Sequence, residues 1–373
     1  MKKVLHVLGT TRLGGAESRI MDLFRNIDRS RCSFDFLITE GYDGPYTAEI
    51  EALGGHVYHL PPFRVYNYFS YVKACKAFFY EHNDYAAVQG HITSTASIYL
   101  PIASKAGIPL TIAHARSAGV DPGWKGKITR FLRRRLIDKC DLALSCSDEA
   151  SVAVFGKKAF EEGQVRFVPN AIKAVDFKPD ASKRKAIRDR YDLGDTPVIG
   201  HVGSFRYAKN HDFVLKVFKE FLKYRPDAKL MLVGDGALKH EIEEKAQAYG
   251  IRDQVIFTGN LNPVHDIYQA FDLFLFPSHY EGMPGTVVEA EAAGLPCLIS
   301  DRITRQVKVT DLVSFKSLDE DEASWARDLD SLLSQKSGDS GSASPREGYA
   351  EAISKTLYDV DRQIELYYEI YKI

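Results

Sequence analysis

A chain of 373 residues with a formal net charge of −1 and 27% charged side chains has the composition of a soluble globular protein and is too long for one core, so two domains are expected. No stretch reaches the roughly 18 consecutive apolar residues of a membrane span, and the short apolar run Met1-Lys-Lys-Val-Leu-His-Val-Leu-Gly9 lacks a leader peptide's cleavage site and reads as a first buried strand. Five cysteines, at 32, 75, 140, 146 and 297, are odd in number and lack C-x-x-C spacing, so neither a disulfide framework nor a zinc site is indicated and a reducing cytoplasm fits.

The small net charge hides an asymmetry. Residues 1–172 hold 22 Lys and Arg against 17 Asp and Glu, a net of +5, whereas the remainder has 27 against 33, a net of −6. The first half therefore suits an anionic partner better.

In chain order, a strand at Val4 to Leu8 runs into the loop Gly9-Thr-Thr-Arg-Leu-Gly14-Gly15-Ala-Glu17 and then an amphipathic helix from Ser18 to Asn26. Paired glycines let backbone amides approach a phosphate closely, although the spacing is not the dinucleotide G-x-G-x-x-G fingerprint and an ordinary turn explains it equally well. Strands are expected at 34–39, 57–60, 86–89 and 110–113, with helices at 46–53, 68–82 and 94–106. Such alternation predicts a doubly wound parallel sheet. Two strand exits carry histidines, His91 and His114, and the second continues into Arg116. The ends of parallel strands are where ligands bind in such sheets, which sets these histidines apart from ordinary surface ones.

Residues 124–139 contain seven bases and one acid, and Trp124, Ile128, Phe131, Leu132 and Leu136 share helical spacing. The segment reads either as a core-packed helix with a solvated basic face or as a basic amphipathic helix that adsorbs on an anionic membrane. A strand at 141–145, a helix at 148–155 and a strand at 165–168 lead to Pro169-Asn170-Ala-Ile172. Polar residues 173–196 look like a hinge followed by a surface helix.

The second half repeats the pattern. Val198 to Val202 is a strand whose loop, Gly203-Ser-Phe-Arg206-Tyr-Ala-Lys209-Asn210, offers an arginine fork and a lysine point charge suited to a diphosphate, or merely two solvated loop cations. Helices at 212–224, 237–249 and 264–270 alternate with strands at 229–233 and 255–259. The strand-like Asp272-Leu-Phe-Leu-Phe-Pro277 precedes Glu281-Gly-Met-Pro-Gly-Thr-Val-Val-Glu289 and a helix from Thr286 to Ala293, ended by Gly294 and Pro296. The two glutamates thus straddle a helix N-terminus, with Glu281 on the loop and Glu289 in about the first turn. Taken alone they read as a turn cap and a dipole-compensating acid. A strand at 297–300 follows, 334–345 is a polar flexible connection, and 346–371 reads as a terminal helix with Leu357, Val360, Ile364, Tyr367, Tyr368 and Tyr371 as its apolar stripe.

The run from Glu281 to Glu289, with its Ala-Gly-Leu-Pro exit, resembles the E-x7-E signature of retaining glycosyltransferases of the GT-B fold, family 4. Gly-Gly-Ala-Glu at 14–17 and Leu-Val-Gly-Asp-Gly at 232–236 resemble further blocks of that family. The resemblance implies two Rossmann-like domains facing across a cleft: an acceptor domain over 1–172, a nucleotide-sugar domain over 173–345, and a terminal helix over 346–373 that returns to the first domain. It implies that Glu281 contacts the donor sugar's hydroxyls, that Gly282, Met283, Pro284, Gly285 and Thr286 cradle sugar and diphosphate, and that Glu289 holds the ribose. Gly14, Gly15, Asn170 and Gly203 border the donor by the same analogy, and Gly259 lies in the segment beside the base. Lys209 and Arg206 would receive the departing diphosphate and His114 would touch the reacting sugar. Two departures stand out: Ser204 replaces the arginine that commonly follows the glycine, and Arg116 replaces a histidine.

By the same resemblance the chain is a metal-independent retaining glycosyltransferase that uses a nucleotide-diphosphate sugar, a UDP-sugar first of all, as substrate and needs no cofactor. Its acceptor would be a glycan or lipid-linked molecule of bacterial surface polysaccharide synthesis, met in the cytoplasm or at the inner face of the plasma membrane, with no nucleic acid involved. A nucleotide-sugar 2-epimerase of the same fold and a non-catalytic sugar-binding protein are the alternatives. The missing G-x-G-x-x-G argues against a dehydrogenase.

Overall fold

Parallel strands alternate with helices along most of the structure, a computed structural model that describes residues 1–373 apart from 13, 41–42, 118, 120–122 and 339–345, and apart from the side chains of 125 and 336–338. The chain divides into two units, Met1–Ala171 with Val360–Ile373, and Ile172–Asp359. Among the described residues no helix is long and apolar enough to cross a membrane.

Unit 1 contains, in chain order, β1 (Lys2–Leu8), α1 (Gly15–Asn26), β2 (Cys32–Ile38), α2 (Thr47–Ala52), β3 (Val57–His59), α3 (Tyr68–Glu81), β4 (Ala87–Gly90), α4 (Thr93–Lys105), β5 (Thr111–Ala115), α5 (Trp124–Arg133), β6 (Leu142–Ser145), α6 (Asp148–Phe155), α7 (Lys157–Glu161) and β7 (Val165–Phe167). Its strands are parallel and ordered β3-β2-β1-β4-β5-β6-β7. Helices on both faces bury the strands, so β2 and β5 are covered at every residue. The order reverses between β1 and β4, which pair from Val4 with Ala87 to Val7 with Gly90. Such a switch point leaves a crevice at the carboxyl ends of the strands.

Unit 2 contains α8 (Ala181–Arg190), β8 (Val198–Val202), α9 (His211–Phe221), β9 (Lys229–Val233), α10 (Lys239–Ala248), β10 (Val255–Gly259), β11 (Leu273–Phe276), α11 (Gly285–Ala292), β12 (Cys297–Ser300), β13 (Val313–Lys316), α12 (Glu322–Gly338) and α13 (Tyr349–Ile353). Its parallel order is β10-β9-β8-β11-β12-β13, with the reversal between β8 and β11. Gly200 lies on β8 because a side chain there would come within 2.2 Å of the Phe271 ring. The last helix, α14 (Val360–Tyr371), belongs to unit 1, where Tyr367 and Tyr371 are almost fully buried among Phe24, Phe34 and Ile112.

Several elements depart from the sequence expectation. β13, α12 and the short α7 come from residues to which no element was assigned. β13 is a half-buried edge strand with no long apolar run, and α12 carries its buried Trp325, Ala326 and Leu329 on an otherwise polar helix. The expected flexible connection over 334–345 is helical to Gly338, and 339–345 lie outside the described residues. The basic helix stops at Arg133 rather than continuing to 139, since Arg134 turns to ψ 123° and Arg135 adopts φ +59°, a left-handed conformation that breaks the ladder. The single terminal helix is two, α13 and α14. Between them Asp359 accepts a hydrogen bond from the Ala174 amide at 3.0 Å, and Leu357 is exposed instead of completing the stripe.

Candidate active site

The site in unit 2 is built where β8 and β11 leave the sheet side by side. β11 is four large apolar residues, all buried, and the chain then turns through Pro277 to Pro284 before α11 begins at Gly285. Gly282, Met283 and Pro284 are buried, Glu281 and Thr286 are partly exposed, and the Thr286 hydroxyl is buried without a hydrogen-bond partner. Four strand exits are stitched together. The Gly203 amide donates to Val233 O at 2.9 Å, the Phe205 amide to Asp235 O at 3.0 Å, and the Gly234 amide to Gly259 O at 3.0 Å. The His279 amide donates to Ala208 O at 2.9 Å and Asn210 Nδ2 to Pro277 O at 3.1 Å. Gly234, at φ +140°, is required here because a side chain on it would come within 2.2 Å of Gly203 O.

This framework brings Lys209 to Glu281: Nζ lies 2.8 Å from Oε1, with the side chains only 8% and 14% exposed. The ammonium also sits 4.4 Å above the Phe276 ring, and a side chain on Gly203 would press to 2.9 Å from Lys209 Cε. Ion pair, ring and glycine together fix where the charge stands, at the mouth of a helix whose N-terminus favours anions. Arg206, on the same loop, is exposed and has no ion-pair partner among the described residues. Glu289 is deeper than the sequence suggested. It is the fifth residue of α11, in the second turn, 2% exposed, and accepts a hydrogen bond from the Tyr268 hydroxyl at 2.6 Å.

Three polar side chains behind Lys209 escaped the sequence reading. His201, inside the apolar strand β8, donates from Nδ1 to Leu275 O at 2.8 Å, which leaves Nε2 an acceptor. His211 packs against it at 4.7 Å between ring centroids and against Phe205 at 4.1 Å. Burial holds both neutral, His201 pushed down to about 4 and His211 to about 2. Both, with Ser278, keep buried polar atoms unpartnered. The one available signal was a histidine interrupting an otherwise apolar strand.

In unit 1 the β1/β4 switch point holds a buried polar wall. His6 Nδ1 meets His91 Nε2 at 3.1 Å, and Arg116 donates from Nε to His91 Nδ1 at 3.4 Å and from Nη1 to Asn170 Oδ1 at 2.7 Å. One layer deeper, Gln89 Nε2 bonds His114 Nδ1 at 2.9 Å while the Tyr371 hydroxyl donates to Gln89 Oε1 at 2.5 Å. Burial first, and the Arg116 charge second, keep His6, His91 and His114 neutral, with His6 pushed down to about 3. His114 is 0% exposed, whereas His91 and Arg116 are partly exposed. The wall therefore places His114 behind the surface that a ligand would touch. Gly14 precedes α1, its amide donating to Arg12 O at 2.8 Å, and Gly15 opens the helix with free space beside its Cα.

Comparison with known proteins agrees with this architecture. The family model described as "Glycosyl transferases group 1" matches residues 183–347, and "Glycosyl transferase 4-like domain" matches residues 14–171. The chain is 33% identical over 379 residues to the putative glycosyltransferase EpsF of Bacillus subtilis (strain 168), covering 100% of this chain and 97% of that protein. It is 23% identical over 352 residues to the capsular polysaccharide biosynthesis glycosyltransferase CapH of Staphylococcus aureus, covering 90% and 92%. Among solved structures, Anabaena Alr3699/HepE in complex with UDP-glucose aligns with a TM-score of 0.76 at 17% identity over 99% of this chain and 100% of that one. A glycosyltransferase from Rickettsia africae ESF-5 gives 0.80 at 14% identity over 100% and 98%. These structural likenesses show the fold, and it is the GT-B fold.

Proposed function

The chain belongs to the group 1 glycosyltransferases, and from that premise we propose that it transfers a sugar from a UDP-sugar to a glycan or lipid-linked acceptor of bacterial surface polysaccharide synthesis, with retention at the anomeric carbon and without a metal or other cofactor. The observation that carries this reading is the Lys209–Glu281 pair at the β8/β11 switch point. Without donor the two charges neutralise each other. With donor, the Glu281 carboxylate takes vicinal sugar hydroxyls and the Lys209 ammonium, with the first amides of α11, takes the diphosphate as it leaves. Preorganised charge at a leaving group is the largest catalytic term in most enzymes. Glu289, fixed by Tyr268, takes the ribose hydroxyls. Support for the uracil base comes from the UDP-glucose bound to the HepE neighbour. A panel of UDP-, GDP- and ADP-sugars tests the reading: turnover is expected with a UDP-sugar, and NMR of the product is expected to show the donor's anomeric configuration. Release of a free epimerised sugar from donor alone would instead identify an epimerase.

The same reading places the enzyme at an anionic membrane surface through α5. Trp124 and Phe131 are 66% and 72% exposed, Lys127, Arg130, Arg134 and Arg135 are exposed around them, and only Leu136 of the apolar set is fully buried. Exposed aromatics beside bases suit the lipid interface, where each base near the surface contributes about 1 kcal/mol.

A further inference from the structure

Among the described residues Arg116 is a cation without a counter-charge. Its guanidinium is held by neutral groups, His91 Nδ1 and Asn170 Oδ1, and among the described residues it has no carboxylate partner. Nη2 is buried with no hydrogen-bond partner among the described residues. The titratable groups that feel its charge are His6, His91, His114, Cys146 and Tyr371, every one neutral in its ordinary or buried state. Arg116 is partly exposed, but the edge of its guanidinium that carries Nη2 is cut off from water, and a charged group without water or a counter-ion on such an edge forfeits hydration that a bound anion restores. The surroundings reinforce the sign. His91 lies two residues ahead of α4, a thirteen-residue helix with no acidic residue in its first turn, so the adjacent helix end is positive as well. His6 Nε2 is also buried and unpartnered among the described residues.

We propose that this wall is an oxyanion site in which Arg116 recognises a phosphate or carboxylate carried by the acceptor, so that the enzyme selects an acidic acceptor. The inference rests on the reading of the chain as a sugar transferase with an acceptor to bind. The guanidinium offers the planar fork that pairs with either oxyanion, and the neutral histidines let the anion approach without competing protonation equilibria. A neutral side chain at this position would not impose that choice.

The test is a binding titration of the full chain saturated with UDP, so that the unit 2 cations are occupied, using methyl phosphate, glucuronate and methyl glucoside as probes. Methyl phosphate or glucuronate is expected to bind and to shift the His91 ring resonances, and methyl glucoside is not; whichever anion binds more tightly identifies the acid group. Arg116→Gln is expected to weaken that binding at least tenfold and Arg116→Lys to restore part of it, which separates loss of charge from loss of fold. Equal anion binding by Arg116→Gln and the parent overturns the proposal, as does binding abolished by Lys209→Ala alone. A tenfold loss of UDP affinity in Arg116→Gln overturns it too, by assigning Arg116 to the donor. None of these readouts needs turnover, so absence of sugar transfer would count against the functional reading alone.

Discussion

Lys209 and Glu281 are each the other's partner in the donor-free protein, and that makes their substitutions informative in different ways. Lys209→Ala is expected to lower turnover more than tenfold, a loss above about 1.4 kcal/mol in the barrier. It also leaves a mostly buried carboxylate unpaired, so Lys209→Met, which keeps the stem over Phe276, is the companion that separates chemistry from folding. Steady-state kinetics beside a thermal melt decides the matter: full activity in a folded Lys209→Met chain would remove the lysine from the mechanism. Which residues of this site were legible in the sequence follows from how they are used. Glu281, Lys209 and the glycines stand on loops at strand ends, where residue type and spacing carry the signal. Tyr268, His201 and His211 act through burial, and nothing in their neighbours along the chain says that a tyrosine twenty-one positions upstream would meet Glu289.

At the scale of elements, α11 carries a titration that its sequence does not announce. Glu291 accepts hydrogen bonds from the Val309 and Thr310 amides and from the Thr310 hydroxyl, yet burial outweighs them and pushes its carboxyl up to about 7. A carboxyl raised in the folded state binds its proton more tightly there than in the unfolded chain. Stability from this group is therefore complete below about pH 4.5 and is lost as the pH rises toward 7, by on the order of 3 kcal/mol. Glu291→Gln keeps a neutral acceptor for the same amides, so urea midpoints of the two chains are expected to diverge with pH, the substituted chain gaining between pH 5 and 8. Parallel curves would show that the carboxyl is ionised throughout. For α5 the corresponding experiment is liposome sedimentation. Reversing Lys127, Arg130 and Arg134 to glutamate is expected to weaken binding to anionic vesicles by roughly a hundredfold or more, at about 1 kcal/mol per base, and added salt should weaken binding of the parent chain. Unchanged sedimentation would return α5 to the status of a solvated surface helix. Its amphipathic spacing was readable in advance; its early end was not, because Arg135 takes a backbone conformation that residue type does not encode.

At the scale of the whole molecule, the chain order and the core order differ. Most strands were readable because parallel strands covered on both faces are short apolar runs bounded by turn residues; what was missed is β13, at the sheet edge where the apolar pattern thins, together with α12, whose core residues are spaced along a largely polar helix, and the five-residue α7. The return of α14 to unit 1 has an energetic consequence. Val360, Ile364, Leu366, Tyr367, Tyr368, Ile370 and Tyr371 are all buried, and at about 1.5–3 kcal/mol for each large apolar side chain their burial contributes on the order of 10 kcal/mol. That is comparable to the net stability of an entire domain. The Tyr371 hydroxyl, by its bond to Gln89, also anchors the layer that supports His114. Ending the chain at Asp359 should therefore unfold unit 1 at or below ordinary temperatures while unit 2, whose own core contains none of these residues, remains folded. Calorimetry of the truncated chain is expected to retain one transition, and UDP titration of it to retain binding, since Lys209, Glu281, Glu289 and the first amides of α11 all lie in unit 2, whereas of the residues expected beside the donor only Gly14, Gly15 and Asn170 belong to unit 1. If UDP binding disappears while the unit 2 transition persists, the nucleotide depends on groups in unit 1, and the assignment of the donor to unit 2 alone fails.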